Sequence, residues 1–256
     1  MQAKRLVSNP GKEMAIPKVI HYCWLSGDPY PELMQKCIDS WHRLLPDYAF
    51  VLWDCKKIQE ISNQWVAGAI KERKWAFAAD YIRLYALYNY GGIYLDCDVE
   101  VIKPFDDMLG RPYFMGRESH KNVIEAAVMG SEPHQAWMKE SLDWYCSKDF
   151  DVSRLNDPAI AIPVIIKKTL AIFPEVKILP ADYFSPKDNR TGKVRATPNT
   201  YTIHHFDGNW FSDYQREYFR IRVKYSKKYG ALAGFIVATM YSVKVKLPFL
   251  KKTSKF

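Results

Sequence analysis

The chain has few cysteines, and none of the spacings that a zinc knuckle or a disulfide framework needs. Its five cysteines are odd in number and scattered, and no CxxC pair occurs. We therefore expect reduced thiols in a cytosolic compartment. The opening residues, MQAKRLVSNPGKEM, lack the apolar stretch of a signal peptide. No internal repeat is visible, which argues against a repeat architecture.

Long apolar runs are also missing. The run over residues 231–243 has thirteen residues, whereas a membrane-spanning helix needs about 20. It lies in a C-terminal segment, 216–256, that holds eleven of the 37 Lys and Arg residues but one of the 28 acids. A basic, apolar segment suits an anionic membrane surface; the alternative is a helix packed on the body with a solvated charged face. Because the rest is nearly neutral, the net charge of +9 does not indicate a nucleic-acid partner.

Apolar and aromatic residues are abundant, at 48% and 15%. The length suits one large domain, which we place at 1–215, followed by a tail at 216–256. Strand-like segments alternate with helical ones, which predicts an α/β fold with a mainly parallel central sheet and a helical tail. Helices are expected over 31–45, 56–70, 74–90, 133–146 and 158–172, and strands over 18–25, 49–54, 93–100, 111–116, 122–130, 177–180 and 200–206.

The run YNYGGIYLDCDVEV, residues 88–101, is the most informative. A helix ends there, with Gly91 expected as a left-handed cap. A strand over 93–100 would then place Asp96, Asp98 and Glu100 on one side. Carboxylates this close repel each other, and a divalent cation allows them to stay ionised together. Oxygen ligands suit Mg²⁺ or Mn²⁺, often with a substrate phosphate.

A second DXD motif occurs at Asp149 and Asp151. That second copy has no preceding strand and no glycine pair. We expect it to lie on the surface without a role in the site.

Two further features surround the first copy. Asp80 and Arg83 share a face of the preceding helix; they can bind sugar hydroxyls and phosphate, or form a buried ion pair that holds helix to sheet. Trp24 ends the first strand, where ligands of α/β sheets bind; it can stack on a base or belong to the core.

The stretch YTIHHFDGNW, residues 201–210, supplies a histidine pair at the end of a strand. Imidazole can complete the coordination of a metal that carboxylates already hold. Asn209 and Trp210 could donate N–H groups to a phosphate.

The segments IPKVIHYCWL, WAFAADYIRLYALYNYGGIYLDCDVEVIKPFD and IHHFDGNW resemble the DXD-containing sugar transferases of bacterial capsule and lipopolysaccharide synthesis. Yeast Golgi initiating mannosyltransferases belong to the same family, and clostridial glucosylating toxins are distant relatives. The likeness covers about residues 16–110 and 201–210. It implies a GT-A type, single Rossmann-like domain, a UDP- or GDP-linked sugar donor, a divalent cation that is usually Mn²⁺, and retention of anomeric configuration.

The resemblance also assigns roles by position. It implies that Trp24 stacks on the base and that Asp98 and His205 bind the metal. The family often has Ser before the last Trp, where this chain has Asn209. The implied catalytic residues are Asp80, Arg83, Asp96 and Asp98; the metal ligands are Asp96, Asp98 and His205; the donor-binding residues are Trp24, Asp80, Arg83, Tyr94, Asp96, Asn209 and Trp210.

We therefore expect a metal-dependent retaining hexosyl- or N-acetylhexosaminyltransferase of surface polysaccharide synthesis, such as capsule. Its acceptor would be a saccharide or a lipid-linked saccharide. It would be cytoplasmic and able to attach peripherally to the inner face of the plasma membrane, and the lack of a visible anchor favours the bacterial branch. Two alternatives are open: another Mg²⁺-dependent phosphate-transfer enzyme, such as a nucleotidyltransferase or phosphatase, and a non-catalytic sugar- or lipid-binding protein with a degenerate site.

Overall fold

A five-stranded sheet with helices on both faces forms the body in the computed structural model, which describes residues 15–119, 123–208 and 213–253. The strands are β1 Val19–Cys23, β2 Ala49–Trp53, β3 Gly92–Leu95, β4 Val99–Val101, β5 Tyr113–Arg117, β6 Ile124–Ser131 and β7 Thr202–His204. The helices are α1 Glu32–Leu44, α2 Gln64–Lys71, α3 Trp75–Tyr90, α4 Ala136–Cys146, α5 Ile162–Ile172, α6 Asp213–Tyr229 and α7 Ala231–Thr253.

The main sheet has the order β2-β1-β3-β6-β5. Strands β1, β2 and β3 are parallel, and β6 runs antiparallel to both of its neighbours, β3 and β5. Four of the five strands therefore point the same way, which confirms the predicted α/β fold with a mainly parallel sheet and a helical C-terminal part. Strands β4 and β7 form a separate antiparallel pair.

Two apolar cores cover the two faces of the sheet. Helices α2 to α5 pack on one face around Trp65, Leu84 and Trp137. Helix α1 packs on the other, where Trp41 lies with Ile93 and Val128. Burial of these large side chains on both sides explains why the central strands are nearly continuous in apolar residues.

A two-glycine turn joins α3 to β3. Gly91 has φ +65° and ψ −166°, so its φ is positive as expected, but the extended ψ differs from an ordinary left-handed cap. Gly92 has φ +99°, and a Cβ there would lie 2.6 Å from the Val19 carbonyl oxygen. The turn thus needs glycine both for its backbone angles and for the close approach of β1.

Three sequence predictions differ from the structure. The strand expected over 93–100 is broken, because residues 96–98 form a turn between β3 and β4. The helix expected over 56–70 is split into a short 3₁₀ turn and α2, since the Asn63 side chain caps α2 by accepting from the Val66 N–H. The segment 177–180 makes a single bridge, between Leu179 and Gly116, rather than a strand.

The C-terminal part is a helical hairpin of α6 and α7. A Cβ on Gly192 would lie 2.7 Å from Val223 Cγ1 and 2.8 Å from Lys227 Cε, so α6 lies close against the body. The division at residue 215 stays a prediction. Within the described residues, neither α7 nor any other helix combines the length and apolar character needed to cross a membrane.

Candidate functional site

The candidate site lies at the carboxyl ends of the parallel strands β1 and β3. Trp24 follows β1 and Asp96 follows β3, and the two strands are neighbours. In α/β sheets this edge is where ligands bind. The pair β4–β7 then brings His204 to the same edge from a distant part of the chain.

The turn after β3 brings two carboxylates together. The Asp96 N–H donates to the Ala127 carbonyl at 2.9 Å, and the Val99 N–H donates to the Asp96 carbonyl at 3.0 Å. Cys97, between the two acids, is buried and donates its Sγ–H to the Cys23 carbonyl. The tight turn, rather than a continuous strand, is what leaves Asp96 and Asp98 adjacent.

Asp96, Asp98 and His204 form a group that could hold a metal ion. Each offers one ligand atom, and these atoms all lie within 4.8 Å of one another. Two carboxylates and one imidazole suit a divalent first-row ion such as Mn²⁺. The residues present therefore fit the cation that the DXD motif implies.

The histidine in this group is His204, and the predicted ligand His205 is not brought into it. Neighbouring residues at the end of a strand point in opposite directions. The His204 ring lies 3.4 Å from Asp98 Oδ2, while the His205 ring lies 3.0 Å from Glu100 Oε2. His205 contributes its backbone, since its N–H donates to the Asp98 carbonyl at 2.9 Å.

Glu100 is therefore separated from the other two carboxylates of the run. It follows the turn, sits in β4 and pairs with His205 rather than with Asp96 or Asp98. The side-by-side arrangement of three acids that a continuous strand would have given is not formed.

Opposing effects act on the ionisation of the Asp98–His204 pair. Burial works against the charge of Asp98, but the charge and hydrogen bond of His204 and the Asp207 N–H lower its pKa to about 2. Burial likewise opposes the charge of His204, yet Glu125 and Asp98 raise its pKa well above the ordinary value. A cationic ring between two carboxylates thus balances their charge.

Arg83 holds the acids of the site with its two terminal nitrogens, while its buried Nε has no hydrogen-bond partner. It is 5% exposed, and its guanidinium lies 3.1 Å from Asp80 Oδ1 and 3.3 Å from Asp96 Oδ1. It also donates to the Ala126 carbonyl at 2.6 Å and lies over the Tyr94 ring. The expected helix-to-sheet ion pair is present, so Arg83 orients the two aspartates.

The two aspartates that Arg83 holds remain partly accessible. Their side chains are 15% and 30% exposed, for Asp80 and Asp96. Burial raises the pKa of Asp80 to about 7, against the opposing charge of Arg83. Burial also raises the pKa of Asp96, again against Arg83. Tyr94 is buried and donates its O–H to Asp96 at 3.0 Å, so it helps to fix the position of this carboxylate.

The remaining predicted residues are placed as follows. Trp24 is partly exposed, donates its indole N–H to the Asp28 carbonyl, and packs on Tyr30 at a tilted angle, with ring centroids 4.9 Å apart. Asn209 and Trp210 lie outside the described residues. The second DXD copy is exposed, as expected, and Asp151 caps a short 3₁₀ turn there.

Sequence reasoning missed two residues beside the site. Glu125 is 2% exposed on β6 and contacts His204. Lys187 donates its Nζ–H to the His205 carbonyl, and burial lowers its pKa. Glu125 had a signal in the sequence, because an acid inside the apolar strand IEAAV needs a buried partner. Lys187 had none, since it lies in an irregular segment.

Comparison with known proteins agrees with this geometry. Residues 31–115 match the family described as glycosyltransferase sugar-binding region containing DXD motif. The mannosyl phosphorylinositol ceramide synthase SUR1 of Saccharomyces cerevisiae is 32% identical over 140 residues, which are 52% of this chain and 35% of that protein. Inositol phosphoceramide mannosyltransferase 3 of Schizosaccharomyces pombe is 35% identical over 124 residues, which are 45% and 33%.

The chain thus spans about a third of the length of these relatives. Among solved structures, the PaToxG glycosyltransferase is similar with a TM-score of 0.48 and 19% identity, over 63% of this chain and 70% of that one. The DXD turn lies inside the matched residues, so residues 31–115 are similar to the sugar-binding region of DXD-containing glycosyltransferases.

Proposed function

We propose that this protein is a metal-dependent glycosyltransferase that moves a sugar from a nucleotide-sugar donor to a hydroxyl of a saccharide or lipid-linked acceptor. The observation that carries the proposal is the group of Asp96, Asp98 and His204, whose two aspartates lie within the family-matched residues 31–115. These residues would hold Mn²⁺, or Mg²⁺ in its place. In this proposal His204 takes the ligand role that the family resemblance implies for His205.

Each part of the site has a task in this reaction. The cation supplies Lewis-acid stabilisation of the diphosphate leaving group. Trp24 offers a partly exposed ring to the base, and Asp80 accepts hydrogen bonds from the sugar hydroxyls while Arg83 fixes its position. Lys187 brings a further positive charge to the rim, where a diphosphate would lie.

We further propose retention through attack of the acceptor hydroxyl on the same face as the departing diphosphate. The three aspartates already have partners: Asp80 has Arg83, Asp96 has Arg83 and Tyr94, and Asp98 has His204. In this proposal their tasks are to bind the cation and the donor sugar, and none of the three acts as a covalent nucleophile. A glycosyl-enzyme adduct trapped in mass spectrometry would contradict this route.

The names of the relatives indicate which donor and acceptor to test first. Several are named as mannosyltransferases acting on inositol phosphoceramide. A nucleotide-linked mannose is therefore the first donor to test, beside UDP-hexoses and UDP-N-acetylhexosamines. A lipid-linked acceptor in surface polysaccharide synthesis, such as capsule, is consistent with a peripheral position on the inner face of the plasma membrane.

The helical hairpin supports that position. On α7, large apolar side chains remain exposed at helical spacing, among them Leu232, Phe235, Ile236, Met240 and Val243. The adjoining α6 carries Arg and Lys residues along its length. An apolar face beside basic charge fits the surface of an anionic membrane.

The deciding experiment incubates the protein with Mn²⁺ and a panel of nucleotide sugars and measures free nucleoside diphosphate. Asp98→Asn should lower turnover at least about 100-fold, because several kcal/mol of charge stabilisation depend on the cation. Asp151→Asn is the matched control, since it changes an exposed DXD acid, and it should leave turnover unchanged.

Other products would point to other functions. Release of nucleoside monophosphate or pyrophosphate would indicate a nucleotidyltransferase or phosphatase. Absence of turnover with every donor would favour a sugar- or lipid-binding protein instead.

A further inference from the structure

We propose that Glu125 is a positioning residue that holds the His204 ring with its Nε2 lone pair directed at the metal. The inference rests on the proposed function, because it concerns the cation that Asp96, Asp98 and His204 would share. Glu125 would act through His204, without touching the cation or the donor.

The first observation is the geometry of the Glu125 carboxylate. Glu125 is 2% exposed, and its Oε2 lies 3.0 Å from His204 Nδ1. Its Oε1 accepts the Ala127 N–H at 2.9 Å. Both oxygens therefore have fixed partners, and the carboxylate cannot turn away from the ring.

The second observation is the opposite side of the ring. His204 Nε2 lies 3.4 Å from Asp98 Oδ2, and the ring packs on Phe206 with centroids 4.0 Å apart. Phe206 itself adopts φ +56°, an uncommon angle for a residue with a side chain. The ring is thus held in one plane between Glu125, Asp98 and Phe206.

The contact with Glu125 determines which ring nitrogen of His204 carries a proton. An ionised carboxylate can only accept a hydrogen bond, so His204 must carry its proton at Nδ1. The metal-free ring also carries a proton at Nε2, facing Asp98. With a cation bound, the ring would release that proton to solvent, and the lone pair of Nε2 would then lie on the side of the aspartates. A carboxylate behind a metal-binding histidine fixes both the tautomer and the ring orientation in this way.

Strand β6 makes Glu125 part of a larger support. The Ala126 carbonyl accepts from Arg83 at 2.6 Å, and the Ala127 carbonyl accepts from the Asp96 N–H at 2.9 Å. Three consecutive residues of one strand therefore hold the histidine, the arginine and the first aspartate of the site. This arrangement ties the two sequence-distant halves of the site to one rigid element.

The test replaces Glu125 by Gln. Because the Ala127 N–H requires the amide oxygen, the amide NH₂ must face Nδ1, and the ring proton is displaced to Nε2. We expect Mn²⁺ affinity to fall about 10- to 100-fold, measured as free Mn²⁺ by electron paramagnetic resonance. Glu132→Gln is the control: it makes the same change just beyond β6, where Glu132 accepts from Gln135, and it should bind like the wild type.

A double-mutant cycle separates positioning from general destabilisation. In His204→Ala, adding Glu125→Gln should cause no further loss of Mn²⁺ affinity, since the group through which Glu125 acts is gone. Equal losses with and without His204 would overturn the proposal.

A second readout needs no metal. Nitrogen-15 shifts of the histidine rings should show a proton on Nδ1 of His204 in the wild type, and on Nε2 alone in Glu125→Gln. A wild-type ring with a bare Nδ1 would overturn the inference. If the wild type binds no Mn²⁺, both the metal-dependent function and this inference fail; if Glu125→Gln binds like the wild type, only the inference fails.

Discussion

At the scale of single residues, His21 stabilises the backbone beside the site and takes no part in the proposed reaction. It is 2% exposed in β1, and its Nε2 donates to the Gly91 carbonyl at 2.9 Å. Its Nδ1 accepts from the Trp53 indole N–H at 3.2 Å. These two bonds require the neutral ring, and burial, helped by the charge of Lys57, lowers the pKa of His21 to about 4.

His21 should make folding stability depend on pH. Between its folded pKa of about 4 and the ordinary 6.5, the unfolded chain binds more protons than the folded one. The contribution of His21 to the free energy of unfolding should therefore be fully present above pH 6.5 and fall by about 3 kcal/mol as the pH drops to 4.

Urea unfolding across this pH range tests the dependence. His21→Gln keeps a side-chain N–H for Gly91 but removes the titrating ring, so its stability should vary less with pH. The exposed His42→Gln is the control and should follow the wild type. An unchanged pH slope in His21→Gln would contradict the assignment.

Single residues also mark where sequence reasoning reached its limit. Asp96, Asp98, Asp80 and Trp24 could be singled out as candidates, because charged residues and a strand-end tryptophan in these positions are unusual in an apolar α/β chain. The choice between His204 and His205 could not be made, since it depends on the register of β7 against β4, where Val99 pairs with His204. Register is a tertiary property that two identical neighbours cannot reveal.

At the scale of elements, the α3–β3 turn is the junction on which the site depends. Its position was predictable, because a long apolar helix followed by two glycines leaves few alternatives. The break between β3 and β4 was not predictable. It is fixed by hydrogen bonds from outside the segment: the Ala127 carbonyl accepts from Asp96, and the Asp207 N–H donates to Asp98.

Gly92→Ala should destabilise the fold by about 3 kcal/mol, since a Cβ would meet the Val19 carbonyl at 2.6 Å on a backbone with positive φ. Gly27→Ala separates the two causes. Gly27 also has positive φ, +74°, but its Cβ would have nothing within 4 Å. The free energy of unfolding of Gly27→Ala should therefore fall by only about 1 kcal/mol. Similar urea midpoints for the two variants would refute the steric argument.

At the scale of the whole molecule, the α6–α7 hairpin adds a surface unlike the rest of the protein. Ser226 and Ala238 are buried within it, while Leu232 and Met240 are 73% and 66% exposed. The sequence indicated the basic and apolar character of this segment. It did not reveal that α7 would pack against the basic helix α6 and leave a row of its apolar side chains exposed.

Replacing both Leu232 and Met240 by Ser should weaken binding to phosphatidylserine vesicles at least about 10-fold, because each buried apolar side chain contributes about 1.5–3 kcal/mol. Co-sedimentation measures this loss, and release of nucleoside diphosphate should not change. Ile172→Ser is the control, since Ile172 is 63% exposed on α5, away from the hairpin. Equal binding of all three proteins, or equal binding to neutral vesicles, would contradict a membrane role for the hairpin.

The β4–β7 pair has a consequence for synthesis on the ribosome. Asp98 accepts a hydrogen bond from Asp207, which lies 109 positions later in the chain. Because chains emerge from the amino end, β4 and the two aspartates that precede it leave the ribosome long before β7 can pair with β4. Until then β4 presents an open strand edge, which invites association with other chains. Completion of the metal-binding group is therefore also the step that closes this edge.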